Sequence, residues 1–144
     1  HLIEARDRGI LLDPTVRQVA TFPEIASHAV NYPVYRERML AMDAVRAEHI
    51  RMMVDAGSHF LMGSDTADDV ADKGMTVELP CAVEDGMPAS VAMAAASYDG
   101  RRCLGLPSWD EGAPADFVVY AADPEKDIDV IVHPQAVFID GIRF

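Results

Sequence analysis

Phe60-Leu61-Met62-Gly63-Ser64-Asp65-Thr66 is an apolar run that ends in a carboxylate. An apolar stretch bounded by Gly reads as a strand buried on both faces, and strands of that kind belong to parallel sheets covered by helices. Such sheets carry their chemistry at the carboxyl ends of their strands, where Asp65 stands. A charge at that place needs a cation, a helix terminus or an arginine beside it. The same residues also read as a plain turn, with Ser64 or Asp65 capping a following helix. The four residues from Gly63 to Thr66 do not choose between the two.

Working outward, Gly57 closes a helical stretch that runs from about Pro33 to Ala56, with Met42, Val45, His49, Met53 and Ala56 at helical spacing. Before it lies a polar loop with Pro23, Asn31 and Pro33, read as an irregular connection. Ile10-Leu11-Leu12-Asp13-Pro14-Thr15-Val16 reads as a short buried strand, with Pro14 at its end because proline has no amide for a ladder. Leu2 to Arg8 reads as the end of a helix stopped by Gly9.

On the other side of Asp65 the sequence predicts a helix over Thr76–Val83 and another that Pro88 starts, packing through Ala89, Val91, Ala92, Ala95 and Ala96. A neighbouring helix through Arg102, Cys103 and Leu104 stops at Gly105. After Pro107 the pattern becomes β: Phe117–Tyr120, Val130–Val132, Ala136–Ile139 and Ile142–Phe144, with Asp140-Gly141 as a hairpin signal. Residues 1–106 thus alternate strand and helix, and residues 107–144 read as all-β.

The 144 residues are half hydrophobic, which excludes a disordered chain, and they carry 24 acidic against 12 basic side chains. A formal net charge of −12 argues against nucleic acid or an anionic membrane as partner, since both need a positive footprint. The two cysteines, Cys81 and Cys103, form neither a CxxC pair nor a disulfide framework. Both are expected to be small core residues, in a reducing compartment such as the cytoplasm. No stretch approaches the length of a membrane span. The chain begins at His1 without a signal pattern and reads as a piece of something longer.

Four parts in order resemble the carboxy-terminal portion of the amidohydrolase superfamily of metal-dependent hydrolases. Gly9–Val16 resembles a late barrel strand with a Pro-Thr ending, and Ala56–Thr66 resembles the eighth strand, where the family carries an aspartate. Glu78-Leu79, Glu84–Ala89, Ala94–Ser97 and Leu104–Leu106 resemble the helices that follow. Gly112–Val119 through Phe138–Gly141 resembles the small closing β domain and is the most specific part. The resemblance implies an α/β fold: residues 1–106 as the carboxy-terminal portion of a TIM (β/α)8 barrel, residues 107–144 as strands of a small all-β, composite β-sandwich segment.

It also implies hydrolysis of C–N bonds in a small-molecule substrate (an amide, cyclic amide or amidine), within the branch of imidazolonepropionase-like and dipeptidase-like members. Asp65 would contact one or two divalent ions, zinc foremost, acting as general base and then general acid. Departures are equally plain. The family's His-x-His pair does not occur; the histidines are His1, His28, His49, His59 and His133. A whole barrel takes about 250 residues, so only its last strands are here. His1 is the candidate for a further metal histidine, but the short span from it to Pro14 counts against that role. His49 is expected to pack at a core edge, His59 to open the strand at its non-chemical end, His133 to face solvent, and His28 to lie in the mouth loop. Met87 stands where the family carries a capping Ser or Thr, at a cost of about 1 kcal/mol.

The acidic stretch Asp68-Asp69-Val70-Ala71-Asp72-Lys73 is expected to be a solvated run, with a wall of the substrate pocket as the alternative. A reading of another class is a non-catalytic half-barrel whose open strand edges need a partner chain or a second copy.

Overall fold

The computed structural model describes residues 1–65 and 74–144. The acidic stretch 68–73 lies outside the described residues.

Two short strands hold the first part together. β1 (Leu11–Leu12) pairs in parallel with β2 (His59–Phe60), Leu11 opposite His59 and Leu12 opposite Phe60. A further bond from the Leu61 amide to the Leu12 carbonyl, 3.0 Å long, extends the ladder by one step. Parallel neighbours need a crossover, supplied here by α2 (Val16–Ala20), α3 (Phe22–His28), α4 (Pro33–Ala44) and α5 (Arg46–Asp55). α1 (Leu2–Asp7) precedes β1.

Three sequence readings change in this region. Val16 begins a helix instead of ending a strand, because Thr15 turns the backbone into the left-handed region at φ 39°. The irregular loop around Pro23 is helical, with Pro23 in the first turn of α3, where a missing amide costs nothing. The long helix from Pro33 is broken at Val45. That break turns α5 so that Ile50 is the residue buried on it, while Met42 and His49 are exposed. The core-edge place expected for His49 is therefore corrected.

α6 (Gly74–Glu84), α7 (Ala89–Ala96) and α8 (Tyr98–Cys103) follow β2. Phe60 and Met62 pack with Val16, Ile50, Leu79 and Met87 in one apolar cluster. Each large side chain so buried is worth about 1.5–3 kcal/mol. Met87 is among the largest fully buried side chains; the N-cap of α7 is Pro88, so the capping place and its cost expected at Met87 are corrected, and Met87 serves the core. Cys81 packs against the same cluster, whereas Cys103 is exposed, contrary to the expectation of two core thiols.

The tail forms a second, antiparallel sheet in the order β3 (Phe117–Val119), β4 (Ala136–Ile139), β5 (Ile142–Arg143). Phe117 and Phe138 face each other across β3 and β4 with rings stacked at 4.5 Å. The β4–β5 turn is Asp140-Gly141, both at positive φ (51° and 75°), the conformation that follows the twist of a two-residue hairpin. The stretch Val130–Val132 is no strand. It lies in a 3-10 helix (Ile128–Val132) capped by the Asp127 carboxylate, which accepts from the Asp129 amide at 3.2 Å. That turn delivers Ile131 into the core beside α6.

Candidate functional site

The carboxyl ends of β1 and β2 lie side by side, and three carboxylates shape them. Asp65, the residue singled out by sequence, follows β2; it is exposed and sits at φ 45°, a left-handed conformation that Asp tolerates better than most residues. Asp13 follows β1, and its Oδ1 accepts the Gly63 amide at 2.9 Å. A Cβ on Gly63 would come within 2.3 Å of Asp13 Oδ2, so any other residue here would displace the carboxylate from its present place.

Glu78, on α6, is the third carboxylate and is fully buried. Its Oε1 accepts the Val16 amide in a very short bond, and its Oε2 accepts the Arg17 amide at 3.1 Å. These are the first amides of α2, which have no partner inside the helix. Glu78 thus pins the chain that leaves β1 through Asp13, Pro14 and Thr15.

Burial pushes the Glu78 carboxyl above its usual range and nearby Asp13 adds to the rise, while the Arg17 and Val16 amides and the Arg17 charge oppose it. A folded-state value above the unfolded one makes its contribution to stability complete below about pH 4.3 and lost as pH rises through the raised value. The stability difference between wild type and Glu78→Gln is expected to shrink as pH rises from 4 toward 7 (roughly the range between the unfolded value and neutrality). Denaturant midpoints of the two proteins across that range check it.

The structure brings none of the histidines to this mouth by any hydrogen bond or ion pair among the described residues. His1 caps the start of α1 with its carbonyl, which accepts the Ala5 amide. His28 bonds Ser27 and the Glu24 carbonyl on its own helix, and His133 is exposed. His59 opens β2 at the far end from Asp65, as expected. There it lines a cleft of about 530 Å³ with Ser58, Tyr98, Asp99 and Arg102. Among the described residues no three His, Cys, Asp or Glu side chains gather closely enough to hold a metal ion. The described residues alone therefore do not fit a complete metal centre.

Asp13 and Glu78 were not singled out by sequence reasoning. Glu78 left a signal: it is the lone charge in the apolar stretch Met75–Val83, where a carboxylate needs donors. Asp13 left less, since Asp-Pro reads first as a strand end.

The amidohydrolase family profile matches residues 2–143. The chain belongs to the amidohydrolase family. Among curated relatives, this amidohydrolase chain is 33% identical over 138 residues to the uncharacterized protein Rv2915c of Mycobacterium tuberculosis, covering 96% of its own length and 37% of the relative's. The figures are the same for the uncharacterized protein Mb2939c of Mycobacterium bovis. The chain therefore spans little more than a third of those relatives. Among solved structures it superposes on a Xaa-Pro dipeptidase with bound methionine at TM-score 0.78 and 22% identity, covering 99% of this chain and 36% of that one. It is similar to A. niger ochratoxinase at TM-score 0.76 and 24% identity, with 97% and 33% covered. These likenesses show a shared mixed α/β amidohydrolase fold. Members of this hydrolase family generally depend on metal.

Proposed function

We propose that residues 1–144 are the carboxy-terminal part of a metal-dependent hydrolase that cleaves C–N bonds in small amides. In this reading residues 1–106 complete a TIM barrel, residues 107–144 belong to a small β domain, and Asp65 carries the proton transfers. The observation that carries it is Asp65 itself: an exposed carboxylate at positive φ on the segment that leaves a parallel strand, five residues beyond Phe60, in a chain of this family. The Xaa-Pro dipeptidase among its structural relatives makes dipeptides the first substrates to consider, with other small amides beside them.

Asp65 takes a proton from the attacking water as its oxygen bonds to the scissile carbonyl carbon. It then returns the proton to the leaving nitrogen as the C–N bond breaks. A carboxylate suits both halves because it alternates between acceptor and donor. Asp65 is also the residue proposed to contact one or two divalent ions, with zinc as the proposed metal. The free thiols of Cys81 and Cys103 support a reducing compartment, the cytoplasm on this reading. No helix among the described residues is long and apolar enough to cross a membrane.

The test is made on the full-length natural polypeptide. Its metal content is measured, and a panel of dipeptides, Xaa-Pro included, and N-acyl amino acids is assayed for amine release. Release that a chelator abolishes and the metal restores supports the proposal. No release across the panel from a metal-free protein overturns it. That outcome would favour the second reading, a non-catalytic half-barrel whose two-stranded sheet is covered by a partner chain or a second copy, and the measured oligomeric state would distinguish those covers.

A further inference from the structure

We infer that Asp13 is a positioning residue: by taking the Gly63 amide, its side chain fixes the backbone that presents Asp65. The inference rests on the role proposed above for Asp65, but its geometry stands on β1 and β2 alone.

In a parallel pair the ladder bonds are evenly spaced, each strand alternately donating and accepting. The Leu61 amide bonds the Leu12 carbonyl, so the next inward-facing amide of the same strand is that of Gly63. A regular ladder would give Gly63 the carbonyl of residue 14 and ask the residue 14 amide to donate in return. Residue 14 is Pro14, which has no amide, and Thr15 then turns left-handed. Main-chain pairing therefore stops short of the end of the apolar run. The Asp13 carboxylate replaces it, accepting from Gly63 at 2.9 Å.

The replacement does more than close a gap. A bond from an amide to a charged carboxylate is about twice as strong as a neutral one, and it acts just before the backbone enters the left-handed turn at Asp65. Gly63 admits the carboxylate to a place where any side chain would collide with Oδ2. The other flank of Asp13 is held as well, since Glu78 grips the Val16 and Arg17 amides. A chain of three links thus runs from buried Glu78 through the Asp13–Thr15 turn to Gly63, and Asp65 stands at its free end. Asp13 touches no reacting group in this arrangement; it acts through the position of Asp65.

The experiment uses the full-length polypeptide with Asp13→Ala, Asp13→Asn and wild type. Asparagine keeps a carbonyl oxygen where the carboxylate oxygen was, and alanine keeps nothing. Amide hydrogen exchange over the segment from Leu61 to Asp65 is expected to accelerate by tenfold or more in Asp13→Ala (about one lost hydrogen bond) and to stay within a few-fold of wild type in Asp13→Asn. On a cleaved dipeptide, kcat of Asp13→Ala is expected to drop by ten- to a hundredfold (about the effect of misplacing a catalytic group by an ångström) with KM little changed. Asp13→Asn is expected to restore most of it. Should the alanine variant not fold, Asp13→Glu replaces it, retaining the charge one methylene out of place.

Unchanged exchange over residues 61–65 overturns the inference, and so does faster exchange with unaltered kcat. If wild type cleaves nothing and holds no metal, the proposed function falls, and the exchange rates alone decide whether Asp13 holds the backbone before Asp65. The two failures are therefore separable.

Discussion

Asp65→Asn is expected to abolish most hydrolysis in the full-length polypeptide, lowering kcat by about 10² to 10⁴, the usual contribution of a positioned acid or base. The substitution preserves size and the acceptor oxygen, so the loop after β2 keeps its shape. What disappears is the ability to hold a proton between its removal from water and its delivery to nitrogen. KM should move less than kcat, because an interaction used mainly in the transition state affects turnover first. A rate within threefold of wild type would remove Asp65 from the chemistry.

The second large effect concerns stability. Arg46 donates from Nε to Asp85 Oδ2 at 2.5 Å and from Nη2 to Asp85 Oδ1 at 3.1 Å, a two-pronged pair joining α5 to the end of α6. The Asp85 side chain is 5% exposed and that of Arg46 is 21%. The bond to Asp85 raises the Arg46 pKa despite partial burial, and Asp43 reinforces it as a second carboxylate partner. Asp85→Ala strands most of a guanidinium in a poorly hydrated place, with an expected loss of about 3 kcal/mol, at the low end for breaking a buried pair. Pairing Asp85→Leu with Arg46→Met should recover much of that loss, because the charge then left without its partner is that of Asp43, which is far less buried than Asp85. Urea midpoints of the single and double variants measure both quantities. A loss below half a kilocalorie would show the pair to be a surface contact in its energetics (exposed pairs give about 0.2–1 kcal/mol).

The parts of this fold legible in the sequence were those set by local rules. Asp140-Gly141 fixed its own turn, because two successive positive φ values suit few residue pairs. The apolar run before Asp65 marked a strand that pairs with β1, but the strand covers only His59–Phe60, with Phe60 and Met62 buried and His59 exposed. The readings that failed were decided at a distance or by a single cap. Val130–Val132 has β-branched composition, yet the Asp127 carboxylate turned it into a 3-10 helix. The long helix from Pro33 had continuous periodicity, and its break at Val45 follows from where Arg46 and Ile50 had to go. At the proposed site, Asp65 stands out in the sequence because a carboxylate that closes an apolar run carries a chemical meaning. Asp13 and Glu78 do not, because each is defined by a backbone amide far away in sequence.

The bond that ties Gly63 to Asp13 spans 50 positions. Helices such as α5 or α7 draw their hydrogen bonds from neighbours a turn away, and each can begin to form wherever its own residues are present. The mouth beside Asp65 has no such independence. Closing a loop of that size costs conformational entropy before any contact repays it, so the geometry of this end is assembled from pieces that must already be organised. A peptide cut out around Phe60–Asp65 would contain the carboxylate and none of what aims it.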